Sequence, residues 1–469
     1  MRALPVALLA VCTPRPVSAQ SECAPVQIAA LLPPSPTCGD FAGEDVALDG
    51  DWAIIGAETE DAVGVDSGAV HVFHQIAGVW TYAGRILPDD AQAGDAFGSA
   101  VALDGDLAFV GARLAGENEG RPGRVYVFRR TDMGWTQEDE FSASSPVPDQ
   151  GFGANLAFAG GVLVVGAPDT PVGADANVGA AYVFEPDQDH WAQTAELSHD
   201  DMALWEFFGR SVDTDGVRVV VGSAPQEFIN PSPGGVYCYE RDGGTWTLHQ
   251  TVTPHDGAEG DVFGTCVALG AGRLVVGAFG SDHFAPTAGA VYVYRLDAGA
   301  WTFETELAPI DTELFYAFGR FVDIEGDTLV AYSSKRTGDP HVNPGVHLFR
   351  RVGGLWQAQL QFAPPGGFGW NMHLNAGRLI GGWPWADRVD PDPLCNDGAA
   401  YIFDLACAPG ACSDADLADP TGTLDFSDVL AFLVAFSVQG PTADLASPFG
   451  AWDFSDVLAF LMAFGAGCP

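Results

Sequence analysis

Paired carboxylates are the residues of this sequence whose spacing could serve acid–base chemistry. Glu58 with Glu60 is one such pair, and Asp89 with Asp90 is another. Both pairs fall in predicted turns, where acidic residues more often form a solvated surface than a general acid and base. The sequence has no G-x-S-x-G, H-E-x-x-H or Gly-Lys-Ser phosphate loop, and its 10 histidines share no spacing. We therefore predict a non-catalytic protein, although loops on any fold can build a catalytic site.

Two neighbouring tryptophans, Trp383 and Trp385, are the candidates for ligand binding. They stand in the segment "WPWADRVDPDPLCNDG". Two nearby indoles can form a platform for a sugar or a peptide, because each combines a large apolar face with a polar edge. Ordinary loop packing is the alternative explanation.

The charge balance excludes some classes of partner. The chain has 20 Lys and Arg against 62 Asp and Glu, a formal net charge of -42. Such a surface repels nucleic acid and anionic membranes, because binding phosphates requires clusters of Lys and Arg. Cations and basic proteins are more natural partners, and solubility alone would also explain the charge.

The first residues have the layout of a secretory signal peptide. Arg2 precedes an apolar run from Ala3 to Cys12, and a small-x-small site ends at Ala19. We predict cleavage after Ala19, with secretion or cell-surface display. A buried N-terminal strand is the alternative. No other apolar run approaches the roughly 20 residues of a membrane-spanning helix, so no span is expected after cleavage.

The sequence contains seven copies of one repeat unit, and the strands of these copies must position any functional site. Each copy opens at a Phe-Gly pair, or at a degenerate Phe-Ala pair in the first copy. The phenylalanines are Phe41, Phe97, Phe152, Phe208, Phe263, Phe318 and Phe368. After the pair come a short apolar strand, a tight turn, a second strand ending in Gly-Ala or a variant, a variable loop and an alternating third strand. A fourth strand containing Trp completes six of the copies.

Four short strands per copy predict an all-β fold. A small twisted sheet cannot bury both of its faces alone, whereas seven sheets packed radially cover one another. The sequence therefore predicts a seven-bladed β-propeller of four-stranded antiparallel blades, spanning residues 20–407. In this fold the repeated glycines serve tight turns and close approach between sheets.

The repeated Phe-Gly and Gly-Ala-Pro pairs resemble the FG-GAP repeats of integrin α subunits and of many exported bacterial proteins. This resemblance covers roughly residues 25–405 and implies a seven-bladed propeller. Integrin-like repeats often carry a D-x-D-x-D-G calcium loop between the first two strands. The corresponding segments here, such as "LDGDW" and "LGAGR", are hairpin turns too short to surround calcium with six or more oxygens. Calcium is therefore not expected in the blades.

The two ends of the propeller are predicted to close the ring together. The seventh copy has no fourth strand after "GAAYIFDL", while residues 25–32 precede the first copy as a fourth strand precedes the others. We predict that residues 25–32 pair with 398–405, which removes two exposed sheet edges. Cys23 and Cys407 would then be neighbours, and a disulfide between them would stabilise the fold by roughly 4 to 5 kcal/mol. Cys238 and Cys266 sit at strand positions typical of core residues.

Residues 413–469, after a linker at 408–412, contain a second and shorter repeat. The nonapeptide "DFSDVLAFL" occurs at 425–433 and again at 453–461, each time with the pattern of a capped amphipathic helix. The two units resemble a dockerin-type module, whose loops bind calcium and whose helices dock a cohesin-like partner. The resemblance implies calcium ligands at Asp416, Asp425, Asp428, Asp444, Asp453 and Asp456.

The middle ligand positions of both loops are mostly occupied by Ala and Pro, so simple helix caps and turns are the alternative role for these aspartates. Cys412 and Cys468 bracket the module and could form a second disulfide. No cysteine shows the C-x-x-C spacing of a zinc site.

The favoured interpretation is an exported scaffold without catalytic activity and without a required cofactor. It would bind a protein or a glycan with the loops between second and third strands, which vary most, and would be held in place by its tail. A secreted hydrolase and a purely structural exoprotein are the alternatives. Convergence of three or more acids or histidines around a free coordination position would favour the hydrolase.

Overall fold

Short antiparallel strands make up the fold throughout the described part of the chain. The computed structural model describes residues 25–34, 38–171, 177–199, 205–225, 232–310, 315–335, 345–362, 371–386 and 396–405. These residues form seven separate antiparallel sheets, and their one helical element is a 3₁₀ turn at Glu117–Glu119. The predicted seven-bladed all-β propeller is confirmed.

The blades follow one another along the chain. Strands are numbered in chain order, and those of each blade are named from its first strand to its fourth. Blade 1 contains β2 (Val46–Asp49), β3 (Trp52–Ala57), β4 (Ala69–Ile76) and β5 (Val79–Ile86). Blade 2 contains β6 (Phe97–Asp104), β7 (Leu107–Ala112), β8 (Arg124–Thr131) and β9 (Gly134–Phe141). Blade 3 contains β10 (Asn155–Ala159), β11 (Val162–Ala167), β12 (Ala180–Asp187) and β13 (His190–Leu197). Blade 4 contains β14 (Phe208–Thr214), β15 (Arg218–Ser223), β16 (Gly235–Asp242) and β17 (Thr245–Val252).

The last three blades repeat this order with one variation. Blade 5 contains β18 (Phe263–Gly270), β19 (Arg273–Ala278), β20 (Ala290–Asp297) and β21 (Ala300–Leu307). Blade 6 contains β22 (Phe315–Tyr316), β23 (Val322–Glu325), β24 (Thr328–Lys335), β25 (Gly345–Val352) and β26 (Leu355–Phe362), with both β22 and β23 paired to β24. Blade 7 contains β27 (Met372–Asn375), β28 (Arg378–Trp383), β29 (Ala399–Asp404) and the N-terminal strand β1 (Val26–Leu31).

The N-terminal strand closes the ring, as predicted. Strand β1 runs antiparallel to β29, with Val26 opposite Asp404 and Leu31 opposite Ala400. The first strands of neighbouring blades contact one another from β2 round to β27, and β27 contacts β2 again. The ring therefore has no open end between its first and last blades.

Pairs of glycines explain why Phe-Gly and Gly-Ala recur at a fixed spacing. Gly56 in the second strand of blade 1 lies against the backbone of Gly98 in blade 2, and a Cβ at Gly56 would overlap the Gly98 carbonyl oxygen. The same relation joins Gly111 to Gly153, Gly166 to Gly209, Gly222 to Gly264, Gly277 to Gly319 and Gly382 to Gly43. Adjacent blades approach so closely at these points that only glycine fits.

The structure corrects the start of the first copy by one residue. A parallel bridge joins Ala42 to Gly398, as Phe97 is joined to Gly68 in the next blade. Ala42 therefore occupies the position of the motif phenylalanine, and Gly43 is the motif glycine. Phe41 instead has φ of 50°, like Ala96 with φ of 56° before Phe97. Because Phe41 has the residue type of the motif, the sequence predicts the start of the first copy one residue too early.

Apolar layers between blades form the core. The five described motif phenylalanines are completely buried, namely Phe97, Phe152, Phe208, Phe263 and Phe318. Cys238 and Cys266 are free thiols that pack in these layers, and burial raises the pKa of both to about 12. They are therefore packing residues rather than nucleophiles.

Several predicted features lie outside the described residues. These are the signal segment 1–19, the linker 408–412, the helical module 413–469, the four cysteines proposed to form disulfides (Cys23, Cys407, Cys412, Cys468) and the six tail aspartates (Asp416, Asp425, Asp428, Asp444, Asp453, Asp456). Among the residues that the structure does describe, no helix is long and apolar enough to cross a membrane.

Candidate functional site

The variable connections of all blades emerge on one face, which we call the loop face. Strands alternate in direction within each blade, so the connection from second to third strand and the connection to the next blade leave from the same side. The opposite side carries short hairpin turns, such as Gly50 and Asp51 between β2 and β3. A site built from loops of differing sequence therefore belongs to the loop face.

The tryptophan pair stands on the loop face where β28 ends. The ring centroids of Trp383 and Trp385 are 5.3 Å apart with an interplanar angle of 69°, and Trp385 is 36% exposed. The Ala386 amide donates to the Trp383 carbonyl at 3.1 Å, and the Gly398 amide donates to the Ala386 carbonyl at 3.0 Å. The two rings meet edge to face, so the pair offers one supported indole instead of a flat two-ring platform.

Four side chains from three segments converge at the rim of blade 5. We call His255, Asp256, His283 and Glu306 the blade-5 cluster. Nδ1 of His283 lies 2.9 Å from Oδ2 of Asp256 and 2.9 Å from Oε2 of Glu306. Ligand atoms of His255, Asp256 and Glu306 all lie within 4.8 Å of one another. The cluster brings together the kind of groups that bind metal ions in proteins.

The elements of blade 5 explain how the cluster forms. His255 and Asp256 follow β17 in the connection to β18, His283 lies between β19 and β20, and Glu306 lies in β21. The Gly289 amide donates to the Ser281 carbonyl at 2.9 Å, which fixes the base of the loop that carries His283.

Electrostatics couple the members of the cluster. The hydrogen bond with Glu306 and its negative charge raise the pKa of His283. Burial raises the pKa of Glu306, although the hydrogen bond with His283 acts in the opposite direction. Each group therefore stabilises the charged form of its neighbour.

Blade 2 carries the same acidic pair with a different counter-ion. Strand pairing places Glu140 opposite Tyr126, as it places Glu306 opposite Tyr292 in blade 5. Asp90 precedes its Phe-Gly pair by the same seven residues as Asp256. In blade 2 the Arg124 guanidinium bridges the two carboxylates, with Nη1 at 3.1 Å from Asp90 Oδ2 and 3.1 Å from Glu140 Oε1.

Three of the four acids in the pairs found in the sequence, Glu58, Glu60 and Asp90, are held in ion pairs. Glu58 accepts hydrogen bonds from Arg113 at 3.0 and 3.1 Å. Glu60 contacts Arg85 at 2.6 Å and His71 at 2.6 Å. The Asp89 amide donates to a glutamine side chain at 3.0 Å, and Asp90 belongs to the Arg124 bridge.

A central cavity of about 460 Å³ lies where the first strands of the blades meet. Three half-buried carboxylates border it, and each accepts hydrogen bonds from the amide of the following residue and from an amide in the first strand of the next blade. The donor–acceptor pairs between blades are Val101 N to Asp45 Oδ2 at 2.7 Å, Leu269 N to Asp213 Oδ2 at 2.6 Å and Leu374 N to Asp323 Oδ2 at 2.6 Å. Burial raises the pKa of Asp45 and of Asp213 to about 7, while the amide donors act to lower it. These hydrogen bonds connect the first strands of adjacent blades.

Sequence reasoning missed the blade-5 cluster because its members are up to 51 positions apart and share no motif. The sequence nevertheless contains a signal from which the cluster could have been predicted. Once blades 2 and 5 are aligned by their Tyr, Asp and Glu, Ala290 takes the place of Arg124, while histidines appear in both adjoining loops.

A family model described as FG-GAP repeat matches residues 25–73, 80–128, 135–184 and 246–294. Each matched segment begins in the fourth strand of one blade, or one residue before it in the case of β1, and ends in the third strand of the next. The repeat unit is thus offset from the blade by one strand, which is the offset that closes the ring. No curated protein sequence matches the chain.

Proposed function

From a chain of FG-GAP repeats closed into a seven-bladed propeller, we propose a non-catalytic scaffold that binds a protein or a glycan through its loop face. The observation that carries this proposal is the exposed indole of Trp385, held edge to face by Trp383. An aromatic ring that is already supported gives a large contact area at little cost in side-chain entropy.

The surroundings of the other charged groups support a binding role over a catalytic one. Glu58, Glu60 and Asp90 form ion pairs with arginines, and the half-buried carboxylates of the cavity accept hydrogen bonds from backbone amides. Groups that are saturated in this way offer little to a substrate.

Export and attachment complete the proposal. Residues 1–19 serve as a signal peptide, and the mature chain is secreted or displayed at the cell surface. Residues 413–469 serve as a dockerin-like module that attaches the propeller to a cohesin-like or envelope partner. Calcium at Asp416, Asp425, Asp428, Asp444, Asp453 and Asp456 is the one metal that this module would use. The repeated nonapeptide and the spacing of the aspartates support this part of the proposal.

Binding assays with arrays of glycans and of peptides test the proposal on the exported full chain. We expect Trp385→Ala to weaken binding at least about 10-fold, as for an aromatic hot spot. Leu355→Ala is the matched control, because Leu355 is 71% exposed and follows a hairpin turn on the opposite face. Equal binding by Trp385→Ala and the unaltered chain would contradict the proposal. Deleting residues 413–469 should abolish retention in envelope fractions and leave array binding intact.

A secreted, metal-assisted hydrolase is the second candidate, and the blade-5 cluster is the observation that favours it. Hydrolysis of chromogenic esters and phosphoesters in the presence of zinc would support it. Activity that survives His283→Gln would exclude the cluster as its site. A purely structural exoprotein would bind nothing on the arrays and hydrolyse no substrate.

A further inference from the structure

We propose that the blade-5 cluster, His255, Asp256, His283 and Glu306, binds one first-row divalent cation, for which zinc is the best fit. The inference concerns a metal site that the repeat pattern does not contain. It does not depend on the binding function proposed above.

The distances between ligand atoms in the cluster are already close to those between the ligand atoms of a coordinated zinc ion. A zinc ion about 2.0 to 2.1 Å from nitrogen and oxygen ligands in tetrahedral geometry places those ligand atoms roughly 3.4 Å apart. His283 Nδ1 is already 2.9 Å from one oxygen of each carboxylate. The ligand atoms of His255, Asp256 and Glu306 lie within 4.8 Å of one another. Side-chain rotations that move atoms by roughly 1.5 Å would bring the ligand atoms of His255, Asp256 and Glu306 to this spacing, with His283 beside both carboxylates.

The chemistry of the donors selects the class of ion. Two imidazoles and two carboxylates suit zinc and its first-row neighbours, which accept mixed nitrogen and oxygen ligands. Calcium prefers six to eight oxygens, and magnesium retains most of its water. The cluster is therefore predicted to discriminate against both.

The two carboxylates of the cluster have no arginine among their ion-pair partners in the described residues, so a cation could bind between them. In blade 2 the permanent charge of Arg124 bridges the equivalent carboxylates. Among the described residues, the ion pairs of Asp256 and Glu306 are all with histidines. A divalent cation bound between Asp256 and Glu306 would neutralise both carboxylates, as the Arg124 guanidinium does in blade 2.

Neighbouring groups orient the ligands before any ion binds. The Tyr292 hydroxyl donates to Asp256 Oδ1 at 3.0 Å, which leaves Oδ2 directed at His283. The His283 ring stacks on Phe284 with centroids 4.9 Å apart and planes at 9°. The His255 ring packs on Phe303 with centroids 4.5 Å apart. Loss of a hydrogen-bonding partner such as the Tyr292 hydroxyl commonly lowers metal affinity about 10- to 100-fold.

An ion could reach the cluster from solvent, and its binding would connect two segments of the loop face. The side chains of His255 and His283 are 52% and 50% exposed, so an ion can reach the cluster from solvent. Once bound, it would join the connection between blades 4 and 5 to the loop that carries His283. The loop face of blade 5 would then be stiffer with metal than without it.

Titration of the chelator-treated full chain with Zn²⁺ alone, and separately with Co²⁺ alone, tests the site. Millimolar Ca²⁺ is present throughout to saturate oxygen-rich sites elsewhere. We expect one strong site, visible-region Co²⁺ bands typical of nitrogen and oxygen ligands, and at least about 10-fold weaker binding by the double variant His255→Gln/His283→Gln.

The double variant His190→Gln/His249→Gln is the matched control, because it removes two exposed histidines from outside the cluster. It should bind Zn²⁺ like the unaltered chain. Thermal unfolding in chelator verifies that both double variants fold, and Glu306→Gln provides an independent ligand substitution if the first variant does not. Zinc affinity that is the same in the cluster variants and in the unaltered chain would overturn the proposal, as would the absence of a strong site in the unaltered chain.

Discussion

Blades 2 and 5 place the same tyrosine, aspartate and glutamate at the same positions, yet they neutralise the acids differently. In blade 2, Arg124 donates to both carboxylates at 3.1 Å. In blade 5, Ala290 replaces that arginine and His283 from the loop approaches both carboxylates at 2.9 Å. The difference shows that a repeat can keep its scaffold while one substitution changes a permanent ion pair into a site with an exchangeable proton.

The two blades also share the features that hold the ring together. Gly111 in blade 2 and Gly277 in blade 5 each lie against the motif glycine of the following blade. Chemistry on the loop face can therefore vary without altering the contacts between blades, because these lie in the strands. The predictions below separate the shared scaffold from the differing loop face, beginning with the largest effect.

Replacing a contact glycine should damage either blade equally. We expect Gly111→Ala and Gly277→Ala each to lower the free energy of unfolding by about 4 kcal/mol or to prevent folding, because the added Cβ overlaps a backbone oxygen. Urea denaturation followed by circular dichroism measures the change. Gly78→Ala is the control, with open space around it and an expected cost of about 1 kcal/mol from its φ of 81°. A contact variant as stable as this control would contradict the role assigned to the glycines.

His283→Arg should convert the blade-5 cluster to the chemistry of blade 2. A guanidinium bridging Asp256 and Glu306 leaves no place for a divalent cation, so zinc affinity should fall about 100-fold. Calorimetric titration with Zn²⁺ measures this loss. Stability in chelator should stay within about 0.5 kcal/mol of the unaltered chain, since the imidazole is half-exposed. Retained zinc binding would show that His283 is not a ligand.

Carboxylates of the central cavity should make the stability of the shared scaffold depend on pH. Because burial raises the pKa of Asp213 to about 7, the folded chain binds this proton more tightly than the unfolded chain between about pH 4 and pH 7. The free energy of unfolding should therefore fall as pH rises through that window. Asp213→Asn keeps an acceptor for the Leu269 amide and does not titrate, so its unfolding midpoint should vary less between pH 5 and pH 7.5. The same pH dependence in both proteins would show that Asp213 is ionised in the folded state.

Removing Arg124 from blade 2 should have the smallest effect on the free energy of unfolding. Arg124→Ala leaves two partly exposed carboxylates without their bridge, and we expect a loss of about 1 kcal/mol at low ionic strength, less at high salt. Thermal unfolding at two salt concentrations measures it. Arg129→Ala, which removes an exposed ion pair away from the loop face, is the control. A loss of several kcal/mol would mean that the bridge supports blade 2 in a way that blade 5 does not need.

Much of the fold follows from the sequence because its determinants are local and periodic. The Phe-Gly and Gly-Ala spacing predicts the blades, and the missing fourth strand of the last copy predicts the pairing of β1 with β29. The first copy was misassigned by one residue, because Phe41 stands next to the position that Ala42 occupies. A motif read by residue type cannot distinguish these registers when the type changes.

The amino-acid sequence alone determined the number of blades, their strand order and the closure of the ring, because apolar alternation and glycine placement repeat at a fixed interval. Only the tertiary structure decided that Trp383 and Trp385 meet edge to face and that His255, Asp256, His283 and Glu306 converge. These arrangements depend on where three separate segments leave the sheet, and the distance between such segments in space has no counterpart in their spacing along the chain.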